Sequence, residues 1–162
     1  MRHGILLKKL GITVICVAIV VVAAFLLIYM RKPPAELKVS AGQKVVVTVM
    51  ADDVNDMYAY QFKMSYDADD FEYSGELESG IGEIQTIFAK ELDGHQLIGA
   101  TMLGEAPGVN GKNIKICHMS FMALRDCVIS EESPSLSEVV VVSPELESEK
   151  DVSGWSLKAS IE

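Results

Sequence analysis

The segment "MYAYQFKMSY", residues 57–66, alternates bulky apolar or aromatic side chains with small or polar ones. A period of two belongs to an extended chain with one buried face, because successive side chains of a strand point to opposite sides of its sheet. Tyr60, Phe62, Met64 and Tyr66 then make an inner row, and Ala59, Gln61, Lys63 and Ser65 an outer one. The run breaks at Asp67, Asp69 and Asp70, residues that favour turns because their carboxylates bond nearby backbone amides.

The same grammar recurs along the chain beyond Pro33 and Pro34. Short apolar-rich runs fall at residues 37–40, 44–51, 57–66, 71–77, 83–92, 95–103, 113–124, 137–143 and 155–161. Turn signals such as Ala41-Gly42, Asp52-Asp53, Asp93-Gly94 and Ser153-Gly154 separate them, and no sustained amphipathic helix appears. Nine such runs predict an all-β sandwich. In the last run Trp155, Leu157, Ala159 and Ile161 face inward, while "VVVV" at 139–142 lacks alternation, as a strand covered on both faces or a span of central core would.

The amino-terminal part follows different rules. Arg2, Lys8 and Lys9 precede twenty uncharged residues, 10–29, and Arg31 and Lys32 follow them. A helix of that length covers the roughly 30 Å hydrocarbon core of a bilayer. A cleaved signal peptide is the competing reading, but its apolar core is shorter, about 7–15 residues. The one small-residue cleavage candidate, Val22-Ala23-Ala24, has apolar sequence still to follow. The expected organisation is a basic segment 1–9, a transmembrane signal anchor 10–30, a linker 31–36 and a β-sandwich 37–162. The basic residues before the span favour, weakly, an inside amino terminus. The carboxy-terminal domain of a single-pass cell-membrane protein then lies outside the cytoplasm.

Charge supports that division. Residues 1–34 hold five Lys or Arg and no acid; residues 35–162 hold nine against all twenty-three Asp and Glu, a net of −14. So acidic a domain argues against nucleic acid and anionic lipid surfaces as partners.

Chemistry is sparse. His95 follows Asp93-Gly94 and reads as a turn residue, and His118 points away from the side shared by Cys117 and Met119. No nucleophile–base arrangement, H-E-x-x-H or phosphate loop is present, so an enzyme is not expected. Cys117 and Cys127 could bridge, although a free core thiol is the simpler reading of Cys117. Asp52, Asp53 and Asp56 in one loop and Asp67, Asp69 and Asp70 in another are weak Ca²⁺ candidates without the spacing of a known calcium loop; hydrated turns are the simpler reading. Tyr58, Tyr73 and Trp155 could form a sugar platform if exposed, but fit a sandwich core better.

The order of these segments resembles the cohesin module of cellulosome-type proteins. The match starts at "LKVSAGQKVVVTVMADDVNDMYAYQFKMSYDADDFEY", with Phe62, Met64, Tyr66 and Asp67 as the aromatic Tyr-Asp strand and Phe71 after its turn. "GKNIKICHMSFMAL" is similar to a later cohesin strand, with Cys117, Met119 and Phe121 at its alternating positions. The resemblance covers about residues 36–161 and implies a nine-stranded jelly-roll sandwich without catalysis. It further implies capture of a dockerin-bearing protein, with no cofactor of the module's own and any calcium on the dockerin. The partner face would comprise Ala59, Gln61, Lys63 and Ser65, with Leu97, Gly99 and Thr101 opposite. Cohesins often carry Asn or Asp where this chain has Ala59 and Gln61, and a large apolar residue near Thr101. The expectation is therefore a membrane-anchored, cohesin-like binding module at a bacterial cell surface. The alternatives are a carbohydrate-binding module of related fold, taking polysaccharide, and a subunit of a cell-envelope assembly.

Overall fold

The structure is a computed structural model that describes residues 36–84, 86–92, 95–130, 133–150 and 153–162. The expected anchor at 10–30 and its flanks lie outside the described residues. Among the described residues no helix is long and apolar enough to cross a membrane.

Among the described residues eleven strands are present: β1 (Leu37–Val39), β2 (Lys44–Met57), β3 (Ala59–Ser65), β4 (Phe71–Ser79), β5 (Thr86–Leu92), β6 (His95–Thr101), β7 (Val109–Ala123), β8 (Cys127–Ile129), β9 (Ser135–Val142), β10 (Ser148–Lys150) and β11 (Trp155–Ile161). Each of the nine expected runs has its strand. The two additions, β8 and β10, are three-residue segments whose sequences, Cys-Val-Ile and Ser-Glu-Lys, are too short to show a period. They are ordered by their neighbours, β8 pairing with β1 and β10 with β9.

All pairings are antiparallel. One sheet has the order β10-β9-β3-β6-β5, another β11-β2-β7-β4, and β1 pairs with β8 in a two-stranded ladder. The five- and four-stranded sheets pack face to face as a sandwich. Buried Val45, Val47, Val49 and Ala51 of β2 meet buried Tyr60, Phe62 and Met64 of β3 in one core cluster. The inner row read from the alternation is buried as expected, with Tyr66 half-buried against the Phe121 ring at 5.0 Å. Trp155 closes the sandwich at one end, its ring edge-on to Tyr60 at 5.8 Å and to Phe62 at 5.9 Å. Edge-to-face rings of this kind add to simple area burial because the positive ring edge meets the negative face.

Three expectations change. The stretch containing Asp52, Asp53 and Asp56 is not a loop: β2 continues through it to Met57, paired with β7 across an irregularity between Val54 and Met57. The strand at 113–124 begins earlier, at Val109, because it pairs with this extension. The "VVVV" run is also not covered on both faces. Val139 is buried, whereas Val140 and Val142 pair with Gln61 and Ala59 and are half-buried on the outer side of the five-stranded sheet.

Phe62 has no exposed surface, while Phe88, in the outer row of β5, is 49% exposed. Phe62→Ala should therefore cost about 3–5 kcal/mol of stability, and Phe88→Ala no more than about 1 kcal/mol. Urea unfolding followed by the fluorescence of Trp155 checks the contrast; equal losses would contradict the inward and outward assignment.

Candidate partner-binding face

The register between strands assembles the outer face of the five-stranded sheet row by row. Ala59 pairs with Thr101, Gln61 with Gly99, Lys63 with Leu97 and Ser65 with His95. All seven residues singled out from the sequence, Ala59, Gln61, Lys63, Ser65, Leu97, Gly99 and Thr101, thus lie side by side on two central strands. Paired residues of an antiparallel ladder share a face, so the rows extend outward from this pair. One row reads Lys150, Val140, Gln61, Gly99, Phe88, and the next Ser137, Lys63, Leu97, Lys90. Ser148, Val142, Ala59, Thr101 and Thr86 form a third.

Phe88 is the feature that sequence reasoning missed. A Cβ added at Gly99 would come within 2.5 Å of Phe88 Cζ, so the ring lies directly against the glycine backbone. The pairing of Phe88 with Gly99 across the ladder explains this: an aromatic ring covers the backbone that a glycine leaves bare. Gly99 is consequently buried although it belongs to the outer row. The outer surface of the ring stays accessible. Within "TIFAKEL" the consecutive Ile87, Phe88 and Ala89 hide the alternation, and only the register with Gly99 marks Phe88 as outward.

Charge on this face is unlike that of the rest of the domain. Lys63, Lys90 and Lys150 lie in the rows above, and among the described residues one carboxylate faces them: Glu138, displaced by the bulge of β9 at a φ of 51°, accepts from Lys63 Nζ at 2.6 Å. The opposite sheet differs. There Lys44 lies between Glu76 at 2.8 Å and Glu162 at 2.6 Å, and His118 Nε2 is 3.2 Å from Glu78. The Lys44 contact holds the Glu76 carboxyl below its ordinary pKa, and Glu162 and Glu76 push the Lys44 ammonium up.

The aspartates serve the backbone. Asp67 Oδ1 accepts from the Asp69 amide at 2.9 Å, and the Asp67 carbonyl accepts from Asp70 and Phe71. Asp70 pairs with Arg125, which raises the guanidinium pKa, and its carbonyl accepts from Leu124 N at 2.7 Å. The Asp56 amide donates to Asn110 Oδ1 at 2.9 Å, while adjacent Asp52 and Asp53 diverge as strand neighbours do. Among the described residues no three His, Cys, Asp or Glu side chains are grouped so as to hold a metal ion. The three aromatics considered for a sugar platform are half-buried: Tyr58 donates to the Gly104 carbonyl at 2.7 Å, Tyr73 packs on Phe121 and Trp155 on the core.

Cys117 and Cys127 are both free thiols, the first buried and the second half-buried. The bridge considered from sequence is not formed: Cys117 lies mid-strand opposite Val49, and Cys127 opposite Val39 on the separate β1–β8 ladder. Burial pushes the Cys117 thiol up to about 12. The buried Tyr60 hydroxyl, which lacks a hydrogen bond of normal geometry, is likewise pushed up, first by burial and then by the neighbouring Cys117. A second concavity, a groove of about 860 Å³, runs along β11, lined by Leu37, Ile129, Leu136, Trp155 and Leu157 among others.

No protein-family model matches the sequence, and no curated protein sequence matches it. Solved structures do match. A cohesin module from a family 33 glycoside hydrolase of Clostridium perfringens ATCC13124 aligns with a TM-score of 0.55 at 13% identity, over 80% of this chain and 94% of that one. The type II cohesin A11 from Bacteroides cellulosolvens aligns with a TM-score of 0.52 at 14% identity, over 68% of this chain and 84% of that one. The fold is that of cohesin modules, as the sequence resemblance implied.

The buried thiol yields a pH dependence. Cys117 ordinarily titrates near 9.0 and is raised to about 12 in the folded state, so above the ordinary value the folded protein binds more protons than the unfolded one. Stability must then fall as pH rises from about 9 towards 12, with Tyr60 adding to the fall. Cys117→Ala should flatten that slope, measured as the urea midpoint at about pH 8 against about pH 10.5. An unchanged slope would show that the thiol is not held protonated.

Proposed function

We propose that this chain is a non-catalytic binding module, anchored in a bacterial cell membrane through residues 10–30, that captures a dockerin-type protein outside the cell. The observation that carries this reading is the register of β3 on β6, which gathers the seven expected contact residues onto one sheet face. The cohesin-like fold supports it. We read the five- and four-stranded sheets, nine strands together, as the jelly roll of that fold, and any calcium in the complex as belonging to the partner. The face favours protein over polysaccharide: Phe88 stands as a single exposed ring rather than in the row that stacks successive sugars. Membership in an envelope assembly is a second reading, favoured by the groove along β11, an edge strand able to accept an added strand.

The decisive experiment is calorimetry of the full-length chain in detergent against calcium-loaded dockerins encoded in the same genome. At least one should bind, chelation of calcium should abolish the binding, and Gln61→Arg should weaken it at least tenfold by placing a bulky charge at the centre of the face. Absence of binding to every dockerin, with the domain folded, would refute the reading. The proposed topology has its own check: protease added to cells stripped of their wall should digest residues 36–162, and full protection would place the domain inside.

A further inference from the structure

The outer face of β10-β9-β3-β6-β5 combines two properties that together select a partner. Apolar surface is left open at its centre and edge: the Phe88 ring is 49% exposed, and Leu97, Val140 and Val142 are half-buried. Lysines frame this surface. Lys90 lies two residues beyond Phe88 on β5, and Lys150 closes the opposite end of the row that runs through Gln61 and Gly99 to Phe88. With strands about 4.8 Å apart, that row is roughly 19 Å long. Among the described residues Glu138 is the one carboxylate in these rows, and it is engaged by Lys63, leaving Lys90 and Lys150 without an ion-pair partner.

We infer that the partner presents an acidic surface with a central apolar anchor: an aliphatic or aromatic side chain seated on Phe88 and Leu97, flanked by carboxylates that meet Lys90 and Lys150. This rests on the reading of the face as the binding site and adds the chemistry of what binds there. The charge placement carries it. Residues 35–162 hold nine Lys or Arg against twenty-three acids, yet three of those nine occupy this one face. A basic face excludes a basic partner and sets the register of an acidic one, because like charges brought together on desolvation oppose docking. The apolar anchor follows from the exposed Phe88 ring on edge strand β5 and Leu97 one strand further in, since aromatic side chains in docking surfaces carry a disproportionate share of affinity. A second copy of this chain docked face to face is disfavoured as occupant, because it would set one lysine-framed surface against another.

The test uses the full-length chain in detergent at about 0.15 M salt, where charges beyond roughly 8 Å are screened and local pairing dominates. Two synthetic helix-forming peptides serve as probes, each with one leucine stripe, the first flanked by glutamates and the second by lysines. The glutamate peptide should bind at least ten times more tightly than its lysine twin. Lys90→Glu combined with Lys150→Glu should lower its affinity at least tenfold, and Phe88→Ala should do the same while leaving the urea midpoint nearly unchanged. Lys158→Glu on the opposite sheet, which alters charge without touching this face, should have little effect. Equal or tighter binding of the lysine peptide, or equal effects of reversal on the two sheets, overturns the inference. So does a concentration-dependent dimer broken by Lys90→Glu, which would make a second copy the occupant. The dockerin panel separates the two levels. A dockerin that binds with full affinity to the Lys90→Glu, Lys150→Glu variant sustains the proposed function and refutes the acidic partner. A glutamate peptide that binds while every dockerin fails sustains the acidic partner and refutes the dockerin.

Discussion

The fold and its outer face both hang on the alternation of Ala59–Ser65. This strand is central in its sheet, paired with β6 on one side and β9 on the other. Its inner residues Tyr60, Phe62 and Met64 are at most 2% exposed, and two of those rings are held by Trp155 from the opposite sheet. A slip of one residue would turn the aromatic row to water and bring Lys63 and Gln61 into the core, so the register is fixed by burial rather than by hydrogen bonds alone. Because the inner row cannot move, neither can the outer one. Gln61 must face Gly99, and Gly99 must lie beneath Phe88. The outer face is in this sense the reverse side of the core.

How far the sequence could be read follows from where its signals were local. Strand β3 and the inward Trp155, Leu157 and Ala159 of β11 were legible because each is a period-two pattern with large side chains on one face; Ile161, expected in the same row, is 37% exposed at the strand's end. The seven face residues were found through a family resemblance, and their pairing in register is a property of the ladder. Phe88 was not found because its place depends on β6, a partner strand, and because Ile87 and Ala89 beside it are also apolar. Lys150 was hidden for a similar reason: "SEKDVSG" reads as loop, and β10 exists through its pairing with β9. The aspartates at 52, 53 and 56 misled because Asp disfavours strands in isolation. Here the long partner β7 supplies the ladder, and Asp56 takes a φ of 51°, a conformation that Asp tolerates better than most residues.

The acidic turn that follows β3 has a structural use. Asp67 organises the turn through its own backbone, while Asp70 ties it to the end of β7 through Leu124 and Arg125. Such exposed ion pairs contribute little energy individually. Their effect is geometric: they set where β4 leaves β3 and crosses to the other sheet, beside β7. The turn therefore does for connectivity what the aromatic row does for burial.

An acidic domain proposed to receive an acidic partner needs a physical account, because the two repel at long range. Screening limits that repulsion to roughly 8 Å at physiological salt, so the charges that matter are those across the interface. Among the described residues of the outer face these are lysines and one acid, Glu138, which Lys63 engages; Glu76 and Glu162 lie at Lys44 on the other sheet, and Asp67 and Asp70 in the turn. Lys63 is neutralised within the face itself, which leaves the field of the face to Lys90 and Lys150 at its two margins. Between them the open surface is apolar or weakly polar, from Val140 and Gln61 to the ring of Phe88. Affinity there depends on desolvating apolar groups, which salt and net charge affect little, while the marginal lysines decide orientation. Net charge then governs how often the two molecules meet, and the face governs whether they stay.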